Sequence, residues 1–140
     1  MRFWDSSALV ALFIRSPQRK RMRSYYEQDP IVAVWWATPI EITSALTRQE
    51  REGSLTSSDT DAVIQRLQQV SASWEELQPA VGLRSTAARL LRVHPLRAAD
   101  ALQLAAALVA AKGDPSSLDV VCLDQRLSQA ARREGFRVLE

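Results

Sequence analysis

Ile31-Val32-Ala33-Val34-Trp35-Trp36 is an unbroken β-branched and aromatic run, introduced by the turn signal Asp29-Pro30 and followed by Thr38-Pro39-Ile40-Glu41. A strand with no polar alternation is buried on both faces, and such strands belong to parallel sheets covered by helices on both sides. Thr38-Pro39-Ile40-Glu41 reads as a helix start, with Pro at the first helical position and a capping-box spacing from Thr38 to Glu41. The local unit is therefore strand, turn, helix.

The unit recurs on both sides. Met1-Arg2-Phe3-Trp4 reads as a short strand ending at Asp5, with Ser6 and Ser7 as cap hydroxyls for a helix over Ala8–Ile14. Ser16-Pro17 breaks that helix, and a second is expected from Gln18 to Glu27. The helix from Pro39 continues to Glu52, where Gly53 ends it, and another covers Ser57–Ala72 with Val63, Leu67 and Val70 on one face. Trp74–Leu77 is a brief strand, and Val81–Val93 an amphipathic helix closed by His94-Pro95. Leu118–Leu123 is a second buried strand ending at Asp124; Gln125–Glu134 is helical, Gly135 caps it, and Phe136–Leu139 is the final strand. This alternation predicts an α/β fold, a three-layer α/β/α sandwich on a mainly parallel sheet of four or five strands. The 140 residues show no repeat or linker, so residues 1–140 are expected to form a single domain.

Composition narrows the class. The chain is 46% hydrophobic and 24% charged, the profile of a folded soluble protein. Net charge is only +2, but sixteen of the eighteen basic residues are Arg, a bias that favours an anionic partner. Cys122 is the only cysteine, which excludes an internal disulfide and a zinc framework and fits a reducing cytoplasm. The apolar run Ala8–Ile14 is too short to span a bilayer and has Asp5 just before it, so neither an anchor nor a signal peptide is expected.

The stretch Ala98–Ala111 is almost wholly Ala, Leu and Val, as in a buried helix, yet it carries one carboxylate, Asp100, in its first turn. Three other acids have equivalent placements. Asp5 and Asp124 each follow a strand, and Glu41 lies in the first turn of a helix that follows a strand. In an open α/β sheet, strand ends and following helix starts share one edge, where ligand crevices form. Clustered carboxylates resist joint ionisation unless a cation neutralises them, and all-oxygen ligands favour Mg²⁺ or Mn²⁺ over zinc. The chemistry such a site suits is hydrolysis of a phosphate ester. Taken singly, Asp5 and Asp124 read equally as caps and Glu41 as the acid of a capping box; Asp100 has no obvious structural duty.

The motifs also carry a resemblance. Phe3-Trp4-Asp5-Ser6-Ser7-Ala8-Leu9 resembles the opening of PIN domains, and Glu41-Ile42-Thr43-Ser44-Ala45-Leu46 their second acidic position. Leu96-Arg97-Ala98-Ala99-Asp100-Ala101-Leu102-Gln103-Leu104-Ala105 is similar to the signature of VapC-type toxins, the ribonuclease halves of prokaryotic toxin–antitoxin pairs. Leu123-Asp124-Gln125-Arg126-Leu127, with Ala130-Ala131 and Gly135-Phe136, resembles the last motif. The resemblance implies that Asp5, Glu41, Asp100 and Asp124 form the catalytic pocket, with Asp5, Asp100 and Asp124 holding Mg²⁺ or Mn²⁺ and Ser7 in support. It further implies an RNA substrate, a cognate antitoxin, a homodimer and a cytoplasmic location. Where the family often has Ser or Thr, this chain has Cys122, read as packing alone.

Outside the pocket, Arg15–Arg23 is the densest basic run, and its Arg19, Lys20, Arg21 and Arg23 suit either RNA phosphates or a solvated helix face. Arg97 lies one turn before Asp100 and is placed to pair with it or with a phosphate. Trp35-Trp36 reads as packing or a dimer contact, His94 as structural, and Thr38 as the cap of its helix. Three functions compete: a metal-dependent endoribonuclease toxin, a non-catalytic RNA- or partner-binding module, and an aspartyl-nucleophile phosphatase. The last typically needs a second Asp two positions after the first, where this chain has Ser7.

Overall fold

A computed structural model describes all of residues 1–140. The elements follow in the order β1 (Arg2–Trp4), α1 (Ser6–Phe13), α2 (Arg19–Gln28), β2 (Val32–Trp35), α3 (Thr38–Arg51), α4 (Ser57–Ser71), β3 (Glu75–Leu77), α5 (Val81–Val93), α6 (Ala98–Ala110), β4 (Asp119–Val121), α7 (Gln125–Arg133) and β5 (Arg137–Leu139). A short 3₁₀ turn, Pro115–Ser117, precedes β4. Every strand expected from sequence is present, within a residue or two of its predicted limits.

The five strands form one sheet in the order β3-β2-β1-β4-β5, and all four pairings are parallel. Side chains that alternate across a strand must pack on opposite faces, and here they sort into two cores. Phe3, Ala33, Trp35 and Val120 pack with α5, α6 and α7. Trp4, Val32, Val34 and Val121 pack with α1, α2, α3 and α4. The result is the expected three-layer sandwich, with five strands. Ala101 and Gln103–Ala107 of α6 are all buried, which makes α6 a rigid mount.

The chain builds the sheet outward from β1 through β2 to β3, then returns across the sheet to place β4 on the other side of β1. The order of connection reverses between β1 and β4. A crevice opens outside the carboxyl ends of the strands at such a switch point, where Asp5 directly follows β1 and Asp124 lies three residues past β4, at the start of α7. No helix is long and apolar enough to cross a membrane.

Candidate active site

Four separate segments each deliver one carboxylate to this edge. Asp5, Glu41, Asp100 and Asp124 line a single open cleft bordered by α1, α3 and the start of α6.

Asp5 is buried, and its side chain caps α1 by accepting the Ser7 N–H at 2.9 Å and the Ser7 hydroxyl. The cap is thus Asp5, not the serines. Ser7 Oγ accepts the Leu123 N–H at 2.9 Å, tying Asp5 to the end of β4. Asp124 caps α7, its Oδ1 accepting the Leu127 N–H at 2.8 Å.

The structural duties of Glu41 and Asp100 are the reverse of the sequence expectation. Helix α3 starts at Thr38, with Ala37 in the cap position and no side-chain cap bond. Thr38 is therefore a buried first-turn residue, not a cap, and Pro39 stands at the second helical position. Glu41 falls one residue too late for a capping box. Its Oε2 instead accepts from Gln103 Nε2 at 2.6 Å, and the same amide donates to Thr38 Oγ1 at 3.1 Å. Asp100 does have a structural duty, because its Oδ2 accepts the Arg97 N–H at 3.1 Å. Arg97 thus meets Asp100 through its backbone, with no guanidinium ion pair.

Cys122 is fully buried, but its thiol does more than pack. Sγ lies 3.7 Å from Asp5 Oδ2 and 3.5 Å from the Asp124 carbonyl oxygen, behind the acids that line the cleft. Burial and the Asp5 charge push the thiol far above its usual range, so it remains a neutral donor.

Burial raises the Asp5 carboxyl above the ordinary range against the bonds from Ser7, and the Asp124 charge raises it further. Burial likewise raises Glu41, against bonds from Gln103 and the Ser6 hydroxyl, with the charges of Asp5 and Asp100 adding to the rise. No ion pair compensates any of the four acids. Arg48 also lines the cleft but reaches none of them; mutually repelling carboxylates with no ion-paired partner in a shared cleft have the donor chemistry of a hard divalent cation. As placed, no three acids stand close enough together to hold one ion. Glu41, Asp100 and Asp124 each have one oxygen turned onto an internal donor.

The basic residues divide. Arg97 borders a polar groove that shares Asp100 and Asp124 with the cleft. Arg19, Lys20, Arg21 and Arg23 of α2 are not among the residues lining the cleft. Arg23 pairs with Glu27 at 2.8 Å, and with Arg19 it borders a separate groove floored by Leu9, Leu12, Phe13 and Trp74. His94 is buried, its Nε2 2.7 Å from Glu134 Oε1. Trp35 is buried in the core, and Trp36 stands edge-on to it and half-exposed.

Sequence reasoning missed Gln103. It is 2% exposed, the one strongly polar residue of α6 besides Asp100, one turn further along. That spacing on an otherwise apolar helix was the available signal.

An acidic cleft at the switch point of a parallel five-stranded sheet, assembled from the starts of separate helices, defines the class. Residues 2–133 match the model of the PIN domain, and the chain belongs to the PIN domain family. Within that family it is 33% identical to Ribonuclease VapC45 of Mycobacterium tuberculosis over 144 aligned positions, covering 97% of this chain and 92% of that protein. The crystal structure of FitAcB from Neisseria gonorrhoeae has the same fold, with a TM-score of 0.73 at 17% identity over 100% of this chain and 97% of that one. A toxin–antitoxin complex from Klebsiella pneumoniae follows at a TM-score of 0.69 and 15% identity, over 100% of this chain and 97% of that one.

Proposed function

We propose that the chain is a metal-dependent endoribonuclease and the toxin of a toxin–antitoxin pair, with residues 1–140 acting as one PIN-like domain. The observation that carries this reading is the convergence of Asp5, Glu41, Asp100 and Asp124 in one cleft, none of them in a salt bridge. The 33% identity to a protein named a ribonuclease supports RNA as the substrate.

Asp5, Asp100 and Asp124 are the residues that would hold Mg²⁺ or Mn²⁺, with Glu41 completing the cluster. Such an ion, when bound, neutralises charge on the phosphate and makes the attacking water more acidic. Ser7 fixes Asp5 against the end of β4, and Gln103 fixes Glu41 from the rigid α6. No histidine lines the cleft, so the proton released as water attacks phosphorus passes to a carboxylate of the cluster. The P–O bond to the leaving ribose oxygen breaks, and that oxygen takes a proton in turn.

A cognate antitoxin and a second copy of the chain are the remaining proposed partners, in the cytoplasm. The antitoxin follows from the resemblance to VapC-type toxins, and the fold recurs in a solved toxin–antitoxin complex. For the homodimer, the exposed Trp36 and Val81 border one largely apolar groove.

The deciding experiment is RNA cleavage with Mg²⁺ by the wild type and by Asp5→Asn and Asp100→Asn. Both variants are expected to lose cleavage while keeping the wild-type circular dichroism spectrum. Wild-type cleavage by either variant would refute the assignment.

A further inference from the structure

The groove beside the acidic cleft has a different character from the cleft itself. It is walled by Arg97, Gln125, Arg126 and Gln129, with no hydrophobic residue in its lining, and it opens into the cleft through the shared Asp100 and Asp124. Gln125 and Gln129 are four residues apart on α7 and so lie on one face of that helix. Arg97, Gln125, Arg126 and Gln129 are all exposed.

Two acids and two arginines share this groove without forming a salt bridge. The Asp100 and Asp124 oxygens that make hydrogen bonds are turned onto the Arg97 and Leu127 backbone N–H groups. Neither guanidinium has a carboxylate within ion-pair distance. Five other arginines of the chain, Arg2, Arg23, Arg89, Arg132 and Arg137, are paired. Two free guanidinium forks and two amide side chains around an open polar groove make a donor-rich surface, and guanidinium matches phosphate oxygens in a bidentate way.

We infer that the Arg97–Arg126 groove is a phosphate subsite, holding the backbone of a single-stranded RNA on one side of the bond that the acidic cleft cuts. This rests on the ribonuclease reading and adds the path of the strand. It also moves the phosphate contacts from the basic run of α2, which lies away from the cleft, to the junction of α6 and α7. Gln125 and Gln129 add hydrogen bonds to phosphate or ribose hydroxyl oxygens. Contacts to phosphate and ribose position the strand without selecting its sequence.

The test uses the full chain with Mg²⁺ in a cleavage-dead Asp5→Asn background, binding a short single-stranded RNA across a range of salt. Arg97→Ala leaves intact the backbone N–H that Asp100 accepts, and Arg126 is exposed, so neither change disturbs a cap. Each phosphate contact removed lowers the salt slope of log K by about 0.7 on single strands. Arg97→Ala and Arg126→Ala are each expected to lose that amount, Arg126→Lys to keep it, and Arg133→Ala, at the far end of α7, to leave it unchanged. In the active enzyme the two alanine variants should raise KM with kcat held, the mark of a uniform binding contact. Slopes unchanged in both, or lowered equally by Arg133→Ala, would overturn the subsite, as would an absence of salt-dependent RNA binding. If the wild type cuts RNA and Asp5→Asn does not, while the arginine variants bind normally, only the groove assignment falls. If the wild type cuts no RNA, the ribonuclease reading itself falls.

Discussion

Gln103→Leu separates positioning from folding in this site. The amide donates to Glu41 Oε2 at 2.6 Å and to Thr38 Oγ1 at 3.1 Å, while its own Oε1 is buried with no partner. Leucine of similar size removes both bonds and also removes the unpartnered oxygen. A bond to a charged group is worth about 1.5–3 kcal/mol, a neutral one about 1 kcal/mol, and a buried unsatisfied group costs about 1–3 kcal/mol. Glu41 is only partly buried, so water replaces part of its lost bond. The sum is a net destabilisation on the order of 1 kcal/mol, or a melting shift of about 2–4 °C for a chain of this size. Catalysis is expected to suffer far more. Glu41 then keeps only the Ser6 hydroxyl and loses its tie to α6, and loss of about 1.5–3 kcal/mol of orientation corresponds to roughly a 10- to 100-fold fall in kcat. The assay is RNA cleavage and thermal unfolding of Gln103→Leu, Glu41→Ala and the double variant. If Gln103 acts through Glu41, Gln103→Leu costs nothing further in the Glu41→Ala background. An equal cost in both backgrounds, or a melting shift several times larger than expected, would show a general packing role instead.

Two other outcomes follow from the electrostatics. Asp5 and Glu41 are both raised above their ordinary values, so the unfolded chain gives up these protons first. The contribution of these two acids to the stability of the metal-free protein is therefore fullest on the acid side and falls as pH climbs from the unfolded carboxylate range, near ~4, through the raised values. Urea unfolding in a chelator at several pH values should show that slope, flattened in Asp5→Asn, and a slope as steep in the variant would contradict it. Glu134 is held below the ordinary range, chiefly by the Arg89 bond, so its contribution is present above the unfolded value and is lost as pH falls through the lowered one. Glu134→Ala leaves the buried His94 ring with neither nitrogen bonded, since Nδ1 already has no partner. It should cost about 1–3 kcal/mol in equilibrium unfolding, and a cost within error of zero would show that water serves His94 as well.

The fold was legible because its signals are local. β-branched runs bounded by turn residues marked the central strands β2 and β4, and Gly53 and Gly135, both at positive φ, marked the ends of α3 and α7. The strand order was not legible, since it rests on pairing between distant segments. The four acids could be found from their place at strand ends and helix starts. Their division of labour could not, because it turns on single-residue shifts. Starting α3 at Thr38 instead of Pro39 puts Glu41 one position past a capping box, while the cap at Arg97 puts Asp100 on its third residue. The charge density of Arg19–Arg23 was plain, but which side of the molecule α2 covers is a property of packing.

Those shifts bear on how any variant of this site should be interpreted. Asp5, Asp100 and Asp124 each serve a helix start with one oxygen, and removing such a cap costs about 1 kcal/mol apart from any role in catalysis. An alanine at one of these positions therefore removes a cap and a charge together, and lost cleavage cannot be assigned to either. Asparagine keeps an oxygen for the backbone N–H and discards only the charge, which is why it is the informative replacement. Glu41 is the exception. It caps nothing, its partners are the side chains of Gln103 and Ser6, and its burial is unfavourable to its charge. Helix α3 needs no acid there, so of the four carboxylates Glu41 is the one whose presence the fold least explains. The cleft is where its explanation lies.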